Sequence, residues 1–417
     1  DLAELNTLFN SGSGMQAVAS SATNMNLIVA STTAMNSIAA SATAMNSIVV
    51  SSTAMNIVAA SATAMNTIAS STTAMGIVAA SSTAMTAIAA SSVAVSAIEA
   101  KSAARSAIIA SATAMNAIAA NATAMTVIAA SSAFSTECAS NSAAVNIFAA
   151  SSTAMTALAA NSVAMTAFGA NSTAMGIIAL SSTSMNIIAA SSTAMTALAA
   201  SSIAMAPIAA SSTAMTALIG TATARNTFIA SSIAMTAIVA SSTAMNIIVA
   251  DATTMTALAA SNAGMTVLAG SSPGMTIVAA STTAMNIIAA NVAVALNVLA
   301  TSTTALSIMT ASATARNALY AVSTKINHAA AANWGVVTLL HSGRGLFVRL
   351  TTTGNPAGWG EGSMTNTYLQ FNGSINEYTK NTATNPYIQT AEHGIRYYAT
   401  SVAYYEYNPF EFAYIPL

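Results

Sequence analysis

Residues 15 to 319 repeat one pattern of apolar and polar positions every ten residues. In the decad 241–250, SSTAMNIIVA, methionine stands at place five (Met245) and a branched aliphatic residue at place eight (Ile248). Methionine or a substitute occupies almost every position whose number ends in five, and a bulky aliphatic or aromatic residue follows three places later. A fixed period over such a length indicates a repeat architecture in which each copy is one structural unit.

The length of the repeat is nearly constant. About thirty-one copies follow one another, and one extra residue enters between Ala290 and Leu296. Repeats that carry loops tolerate length changes at the loop tips. The constant length therefore indicates that every decad is a fixed structural step.

The first place of the decad predicts the start of a helix. It holds Ser, Asn, Thr or Asp in nearly every copy, with Lys101 as an exception, and the side-chain oxygens of these residues cap helix N-termini. Places four, five, eight and nine share one face of a helix, and alanine favours helix over strand. The sequence thus favours one helical rung of about eight residues in each decad, with a kink at each cap.

A β-helix with strand rungs stays open as the alternative. Pro207 lies in the middle of a decad, and the β-branched run at residues 48–50 is typical of strands. One continuous helix is excluded, because ten residues turn an α-helix by about 1000°, roughly 80° short of three full turns. Either surviving architecture places methionine and the branched residues inward and the hydroxyls outward.

We interpret the methionine column as core rather than as a metal or redox site, since neighbouring places compensate in volume as a close-packed interior requires. Eight-residue helices are marginal in water, so stability is expected from the rungs above and below and from sister chains. Arg105, Arg225 and Arg316 replace the methionine. Such arginines would bind an anion or set register where three chains meet. The interpretation we favour is that each extends outward from a loosened rung.

The segments that flank the decads differ from them. Residues 1–14 have leucine spacing compatible with one short helix followed by a Gly/Ser link, and we interpret them as an N-terminal adaptor. Leu296, Leu306 and Arg316 stand where methionine belongs in the last three decads. Residues 320–333 are rich in alanine and are predicted to form a helical neck.

Residues 334–417 are predicted to form a separate C-terminal tip domain. They contain both tryptophans, nine of the ten tyrosines and nine of the nineteen charged residues. Apolar or alternating runs between turn signals predict a compact antiparallel β-domain of sandwich type. The predicted strands are 335–340, 345–350, 367–371, 394–398 and 402–407.

Composition narrows the function classes. Charged residues make up 5% of the chain and the formal net charge is −1, which argues against a nucleic-acid partner. Mean hydropathy is +0.65, but no window reaches about eighteen unbroken apolar residues, so insertion into a membrane is not expected. Cys138 is the one cysteine, stands at the bulky place of its decad, and is expected in the core.

The sequence contains no motif that indicates catalysis. It has no nucleotide loop, no paired-cysteine metal spacing and no GxSxG. His328, His341 and His393 are scattered, and a surface turn explains the pairing of His393 with Glu392. Glutamates of the terminal domain offer carboxylates for glycan cleavage, but the domain is small for such an enzyme. We therefore expect a non-enzyme without catalytic residues, metal or cofactor.

The terminal domain is instead rich in aromatic residues, which stack on sugars and contribute to protein interfaces. Half or more of them are expected in the core or between chains. Trp359, Tyr378 and Tyr387 fall in predicted loops. These three residues are the candidate receptor contacts.

Arrays of Ser-Ser-Thr-Ala-Met decads, as in residues 181–250, resemble tail-fibre and other appendage proteins of large tailed bacteriophages. The resemblance covers residues 15–319 as a style of repeat. It implies a homotrimeric shaft in an extracellular appendage of the virion, in contact with other virion proteins. It also implies a tip that binds a glycan or protein of the host surface, and no catalytic residues carry over.

The expected fold is thus a fibrous repeat protein, a solenoid-like shaft of decapeptide rungs followed by a C-terminal antiparallel β-domain. The expected function is a viral fibre that attaches to host cells, where multivalent display turns weak contacts into firm binding. One alternative is a virion connector whose tip docks another virion protein. Another is an ice-binding or adhesin solenoid, although its Ser and Thr rows mix other residues too freely for a flat lattice-matching face.

Overall fold

The structure is a computed structural model. It describes residues 7–330, 333–352, 367–371, 374–379, 395–399, 401–406 and 410–417. The chain divides into two compact units, residues 1–227 and residues 228–417.

One short helix forms in each decad, as the cap pattern predicts. The helices of the first unit are α1 (Gly12–Ala19), α2 (Ala22–Val29), α3 (Thr32–Ala40), α4 (Ala42–Val49), α5 (Ser52–Ala60), α6 (Ala62–Ala69), α7 (Thr72–Ala80), α8 (Ser82–Ala89), α9 (Ser92–Glu99), α10 (Ser102–Ile109), α11 (Ala112–Ala119), α12 (Ala122–Ala130), α13 (Ser132–Ala139), α14 (Ser142–Ala150), α15 (Ser152–Ala159), α16 (Ser162–Gly169), α17 (Ser172–Ile178), α18 (Ser182–Ala190), α19 (Ser192–Ala199), α20 (Ser202–Ala210) and α21 (Ser212–Ile219). Helix α22 (Ala222–Ala230) contains the boundary between the units.

The second unit continues the array. Its helices are α23 (Ser232–Ala240), α24 (Ser242–Ala250), α25 (Ala252–Ala259), α26 (Asn262–Gly270), α27 (Ser272–Ala280), α28 (Thr282–Ala290), α29 (Asn297–Ala300), α30 (Thr303–Ala311) and α31 (Ala313–Tyr320), with a π-helical turn at Val292–Leu296 before α29.

The first place of nearly every described decad ends one helix and caps the next, and Lys101 is an exception that makes no side-chain cap. Ser81 is typical: its backbone is extended, with φ −98° and ψ 117°, and its Oγ accepts a hydrogen bond from the N–H of Ala84. The cap satisfies one of the amides that have no partner in the first helical turn. Consecutive helices therefore meet at a sharp angle, for example 98° between α7 and α8.

Three helices make one turn of the array. Each helix packs against the third helix after it, as α1 packs against α4 and α5 against α8. The joints between consecutive helices bend the chain by about the same angle each time, 100° to 104° in most of the measured pairs. Thirty residues thus separate equivalent places in neighbouring turns of a unit.

The serine at place one also links one turn to the next. Ser81 Oγ donates a hydrogen bond of 2.8 Å to the carbonyl O of Val49, which lies 32 residues earlier. Ser201 makes the same bond to the carbonyl O of Gly169. One hydroxyl group therefore satisfies an amide of its own helix and a carbonyl at the end of a helix in the previous turn.

Places four, five, eight and nine form the core, as predicted. In α4, Ala44, Met45 and Ile48 are fully buried and Val49 is 4% exposed. The long, flexible thioether side chains fill the irregular space inside each turn. This burial is complete within a single chain.

The strand alternative is wrong for the described residues of the array. Pro207 lies inside α20, and residues 48 and 49 close α4. Cap hydrogen bonds and the burial of one helical face act in nearly every described decad, with Lys101 as an exception to the cap, whereas the strand signals are isolated. Tertiary context of this kind overrides local propensity.

The array begins nearer the N-terminus than we predicted when we assigned residues 1–14 to an adaptor. Ser11 caps α1, so residues 12–14 are helical and the predicted Gly/Ser link is wrong. Phe9 is 1% exposed, and its carbonyl O accepts from Ser41 Oγ at the usual separation of 32 residues. Glycine is tolerated here because a serine cap stabilises the first turn. Residues 1–6 of the adaptor lie outside the described residues.

The single inserted residue is absorbed by the π-helical turn. A π turn contains one residue more than the corresponding α turn. Before it, place-one serines bond to carbonyls 32 residues earlier, whereas Ser302 bonds to Ala269 and Ser312 to Ala279, both 33 residues earlier. The same carbonyl place is therefore used on both sides of the insertion.

The C-terminal part of the second unit is antiparallel β-structure, as predicted. Its strands are β1 (Ile326–Ala330), β2 (Asn333–Ser342), β3 (Gly345–Thr352), β4 (Thr367–Phe371), β5 (Ser374–Thr379), β6 (Arg396–Tyr398), β7 (Ser401–Glu406) and β8 (Phe410–Pro416). They form two four-stranded sheets, in the orders β1-β8-β3-β6 and β2-β7-β4-β5. All five predicted strands overlap observed ones, and β1, β5 and β8 were missed.

The predicted helical neck at residues 320–333 is wrong. Helix α31 ends at Tyr320, and β1 pairs with β8, with Ile326 opposite Tyr414. The helix preference of alanine is only a fraction of a kcal/mol per residue, and pairing with β8 overrides it. Residues 326–330 therefore belong to the β-domain.

The β-domain contacts the end of the array within the second unit. The backbone N–H of Ile395 donates to Thr310 Oγ1 in α30 at 2.9 Å. Helix α31 lies against β3, whose residues Leu346 and Phe347 are buried. The last helices of the array thus support the sheet that contains β3.

None of the described helices is by itself long and apolar enough to cross a membrane. Nine pairs of consecutive helices satisfy length and composition together, but each pair is bent by 88° to 104°.

Candidate functional site

The arginines at place five turn towards backbone carbonyls. Arg105, Arg225 and Arg316 each donate from Nη1 to the carbonyl O six residues earlier, at place nine of the previous decad. That carbonyl place accepts from a serine hydroxyl in most other decads. We expected these side chains to extend outward from loosened rungs. Each arginine instead donates a hydrogen bond to a backbone carbonyl group of its own chain.

Arg105 also forms an ion pair with a residue of the next turn. Its Nη2 lies 2.7 Å from Glu137 Oε1, and its Nε lies 3.1 Å from both carboxylate oxygens. The hydrogen bond and charge of Glu137 raise the pKa of Arg105, against the opposing effect of burial. The separation of 32 residues equals that of the serine bonds, so this pair joins the same two turns.

A second bond completes the charged cluster. Because Arg105 occupies the carbonyl of Glu99, the serine 32 residues later, Ser131, donates instead to the carboxylate Oε1 of Glu99 at 2.7 Å. Cys138 is buried nearby in α13, and burial, followed by the charge of Glu137, raises its pKa. Raised thiol pKa values make cysteines unreactive, which agrees with a core role. The cluster is therefore structural.

A histidine and two tyrosines meet in the β-domain. The hydroxyl group of Tyr398 lies 3.1 Å from His341 Nδ1, and the His341 ring lies 5.2 Å from that of Tyr414. Tyr398 is fully buried, and burial raises its pKa. Gly345 permits this packing, because a Cβ there would overlap the Tyr398 hydroxyl group. The cluster joins β2, β3, β6 and β8.

Of the three predicted receptor contacts, the described residues include Tyr378. Tyr378 lies on strand β5, not in a loop, with Tyr368 of β4 as its backbone partner. Strand β5 is at the edge of its sheet. Trp359 and Tyr387 lie outside the described residues, so their role stays a prediction.

Metal ligands do not cluster either. Over the described ranges, no group of three or more His, Cys, Asp and Glu side chains is placed to hold a metal ion.

A groove at the junction of array and β-domain is a candidate binding site in the second unit. It has a volume of about 440 Å³ and lies between α26, residues 292–302 and the turn that joins β2 to β3. Its polar side chains are Thr266, Asn297, Thr301, Ser302 and Arg344. We call it the junction groove.

Arg344 is the charged residue of the junction groove. It is exposed, and no ion pair or side-chain hydrogen bond holds its guanidinium among the described residues. It follows Gly343, whose φ of +119° favours glycine. The backbone also fixes its position, since its carbonyl O accepts from the N–H of Leu417 at 3.1 Å.

A second groove, in the first unit, lacks any charge. It has about 430 Å³ and lies between α18 and α21, with Ser182, Asn186, Thr216 and Thr221 among its lining residues. Its lining is neutral throughout. The junction groove is therefore the one of the two that offers a charged contact.

The junction groove is not evident from the sequence. Arg344 stands in a short Ser-Gly-Arg-Gly segment between two predicted strands. This segment indicates a turn, but it does not indicate which part of the chain lies beside that turn. The other lining residues are ordinary members of decads. Only the packing of the β-domain against the array brings the two sets together.

The fold defines a class: a helical repeat protein whose array of short helices is followed by a small antiparallel β-domain. In comparisons with known proteins, no family model matches the chain and no curated protein matches it.

Proposed function

We propose that the protein is a structural fibre of a virus, a solenoid-like shaft that carries the C-terminal β-domain for attachment to a host cell. The observation that carries the proposal is the closed core of the array. Within each unit the turns bury their own methionine and branched residues, and serine hydroxyls bond neighbouring turns together. Such a stack serves as a spacer without requiring a ligand.

The dimensions of one unit suit this role. Seven turns, from α1 to α21, packed at helix spacings of about 8–10 Å give the first unit a stack roughly 60 to 70 Å long. Repeat proteins of this kind extend by adding turns, since each turn contacts only its neighbours. The near-constant decad length keeps the stack regular.

The surface of the array supports a passive role. Exposed places two, three, six and ten are mainly Ser, Thr, Asn and Ala, and only five of the residues described between 7 and 227 are charged: Glu99, Lys101, Arg105, Glu137 and Arg225. A nearly neutral hydroxyl surface gives little long-range attraction. Binding is therefore assigned to the β-domain.

We propose a homotrimer in the virion, in contact with other virion proteins, as the resemblance to phage appendages implies. The buried methionines do not require it, because each chain closes its own core. Sister chains would meet through the outer hydroxyl faces. Light scattering after gel filtration distinguishes three copies from one.

Cell binding tests the attachment function. Labelled full chain is incubated with host cells, beside a chain that ends at residue 320 and so lacks the β-domain. Attachment of the full chain alone supports the proposal. If gold-labelled antibodies against the β-domain find it covered in intact virions, the connector function replaces host attachment.

A further inference from the structure

We propose that the junction groove binds a sugar that bears a carboxylate, such as a uronic acid, with Arg344 as the contact for the anion. This inference rests on the proposed attachment function and names the chemistry of its receptor. It follows from three features of the groove: a free cation, a set of uncommitted acceptors, and open space at Gly270.

The guanidinium of Arg344 is the free cation. It is exposed beside the groove and has no side-chain partner within the described part of the chain. A guanidinium matches a carboxylate with two parallel hydrogen bonds. The bond from Leu417 N–H to the Arg344 carbonyl O fixes the backbone from which the side chain starts.

The neutral polar side chains that line the groove already donate their hydrogen bonds to carbonyl groups of the protein. Thr266 Oγ1 donates to the carbonyl O of Asn262, and Thr301 Oγ1 donates to that of Val298. Asn297 Nδ2 donates to two carbonyl oxygens of the π turn. What these three side chains still offer are oxygen lone pairs, which accept hydrogen bonds.

A ligand that suits the groove must therefore carry a negative group for Arg344 and several O–H donors for the oxygens. Inorganic phosphate supplies the charge but few donors, and a neutral sugar supplies donors but no charge. An acidic sugar has both. None of the described residues that line the groove is aromatic, so the sugar is held by its edges rather than by stacking.

Gly270 keeps the groove open. A Cβ at this position would meet no atom within 4 Å, so neither packing nor backbone conformation requires glycine there. The volume of about 440 Å³ lies in the range of small-molecule sites, roughly 300–1,000 Å³. A large side chain at residue 270 would therefore fill the groove without disturbing the helix.

The experiment measures binding of glucuronate to the full chain by calorimetry and saturation-transfer NMR. Glucose is the comparison ligand in both measurements, and inorganic phosphate, which has no carbon-bound protons, is compared by calorimetry. A ligand of this size held without stacking is expected to bind with a dissociation constant on the order of 1 mM. Glucuronate is expected to bind at least about tenfold more tightly than either comparison ligand. A single charged hydrogen bond accounts for the ratio to glucose, and the hydroxyl hydrogen bonds that phosphate lacks account for the ratio to phosphate.

Two variants test the location, each with a matched control. Arg344→Gln should weaken glucuronate binding by about tenfold or more, while Lys101→Gln, which removes an exposed cation far along the chain in the first unit, should leave it unchanged. Gly270→Trp should abolish binding. Gly76→Trp, at a position with equally open space, should not. Unchanged circular-dichroism spectra show that the variants fold, and Arg344→Lys, which keeps the charge, should bind with intermediate strength.

Equal binding of phosphate would overturn the sugar, and equal binding of glucose would overturn the role of Arg344. Binding that survives Gly270→Trp would overturn the groove. Cell attachment separates this inference from the proposed function: if the full chain attaches to cells and Arg344→Gln attaches equally well, the inference fails while the attachment function stands. If the full chain binds glucuronate but does not attach to host cells, the attachment function fails while the sugar site in the groove stands.

Discussion

The ion pair of Arg105 and Glu137 should couple two turns of the array measurably. The perturbations are Arg105→Met, which restores the residue usual at place five, Glu137→Gln, which keeps the shape of the side chain, and the double variant. The interaction energy of the double-mutant cycle isolates the pair.

The structure sets the magnitude. The Arg105 side chain is 11% exposed and that of Glu137 is 34% exposed, with 2.7 Å between Nη2 and Oε1. Removing one partner of a fully buried pair costs about 3–5 kcal/mol, whereas surface pairs contribute about 0–1 kcal/mol. Since Glu137 is a third exposed and hydrates, we expect a coupling of about 1–2 kcal/mol.

The single variants should differ in a way that tests the geometry. Glu137→Gln leaves a nearly buried guanidinium without its counterion and should destabilise by about 2 kcal/mol. Arg105→Met should cost less, because methionine fills place five and Ser131 regains the carbonyl of residue 99 as an acceptor. The double variant is expected within about 1 kcal/mol of the original chain, as replacing a buried pair by apolar groups is often neutral.

The assay is guanidinium denaturation together with hydrogen exchange of the amides in α10 and α13, because a repeat array opens locally and does not always unfold as one unit. Loss of protection confined to these helices would locate the effect. A coupling below about 0.3 kcal/mol, the usual error of additivity, would refute the idea that this pair links the turns.

Three further substitutions follow from single hydrogen bonds. Ser81→Ala removes both the cap to Ala84 and the bond to Val49 and should destabilise the protein by about 2 kcal/mol. Ser81→Asn keeps the cap and should cost about half as much. Equal losses of stability for the two variants in a denaturant titration would contradict the double role of Ser81. Pro207→Ala restores an amide inside α20 and should stabilise by up to about 3 kcal/mol, so an unchanged denaturation midpoint would show that the proline is accommodated without cost. Thr254→Val removes a buried hydroxyl that has no hydrogen-bond partner in the described structure and should stabilise by about 1 kcal/mol, which a lower melting temperature would disprove.

The rungs were predictable because their signals are local. A capping residue at place one, an apolar face at places four, five, eight and nine, and a constant length each point to a short helix, and Ser81 and Met45 occupy the places this requires. The number of helices per turn was not predictable. It depends on the angle at each joint, which is set by the extended backbone of one capping residue and by contacts 30 residues apart.

The arginines show where residue types alone mislead. Because Arg105 occupies a core place, its side chain is predicted to extend into solvent. The sequence does not indicate that the carbonyl of residue 99 lies within hydrogen-bonding distance. Its partner Glu137 is 32 residues away, a spacing that has meaning only once three helices per turn are known. The prediction of a helical neck was wrong for a related reason, because the strand that pairs with residues 326–330 lies far along the chain, at residues 410–414.

The inserted residue near position 293 illustrates how strongly the turn-to-turn bonds constrain the chain. An insertion that merely lengthened the joint would move every later serine away from its carbonyl acceptor. The π turn at Val292–Leu296 instead takes up the extra residue inside the helix, and Ser302 finds the place-nine carbonyl of Ala269 at 33 residues instead of 32. The same π turn provides the carbonyls that hold Asn297 in the wall of the junction groove. The inserted residue is therefore also the place where the array acquires a shaped polar surface beside the β-domain.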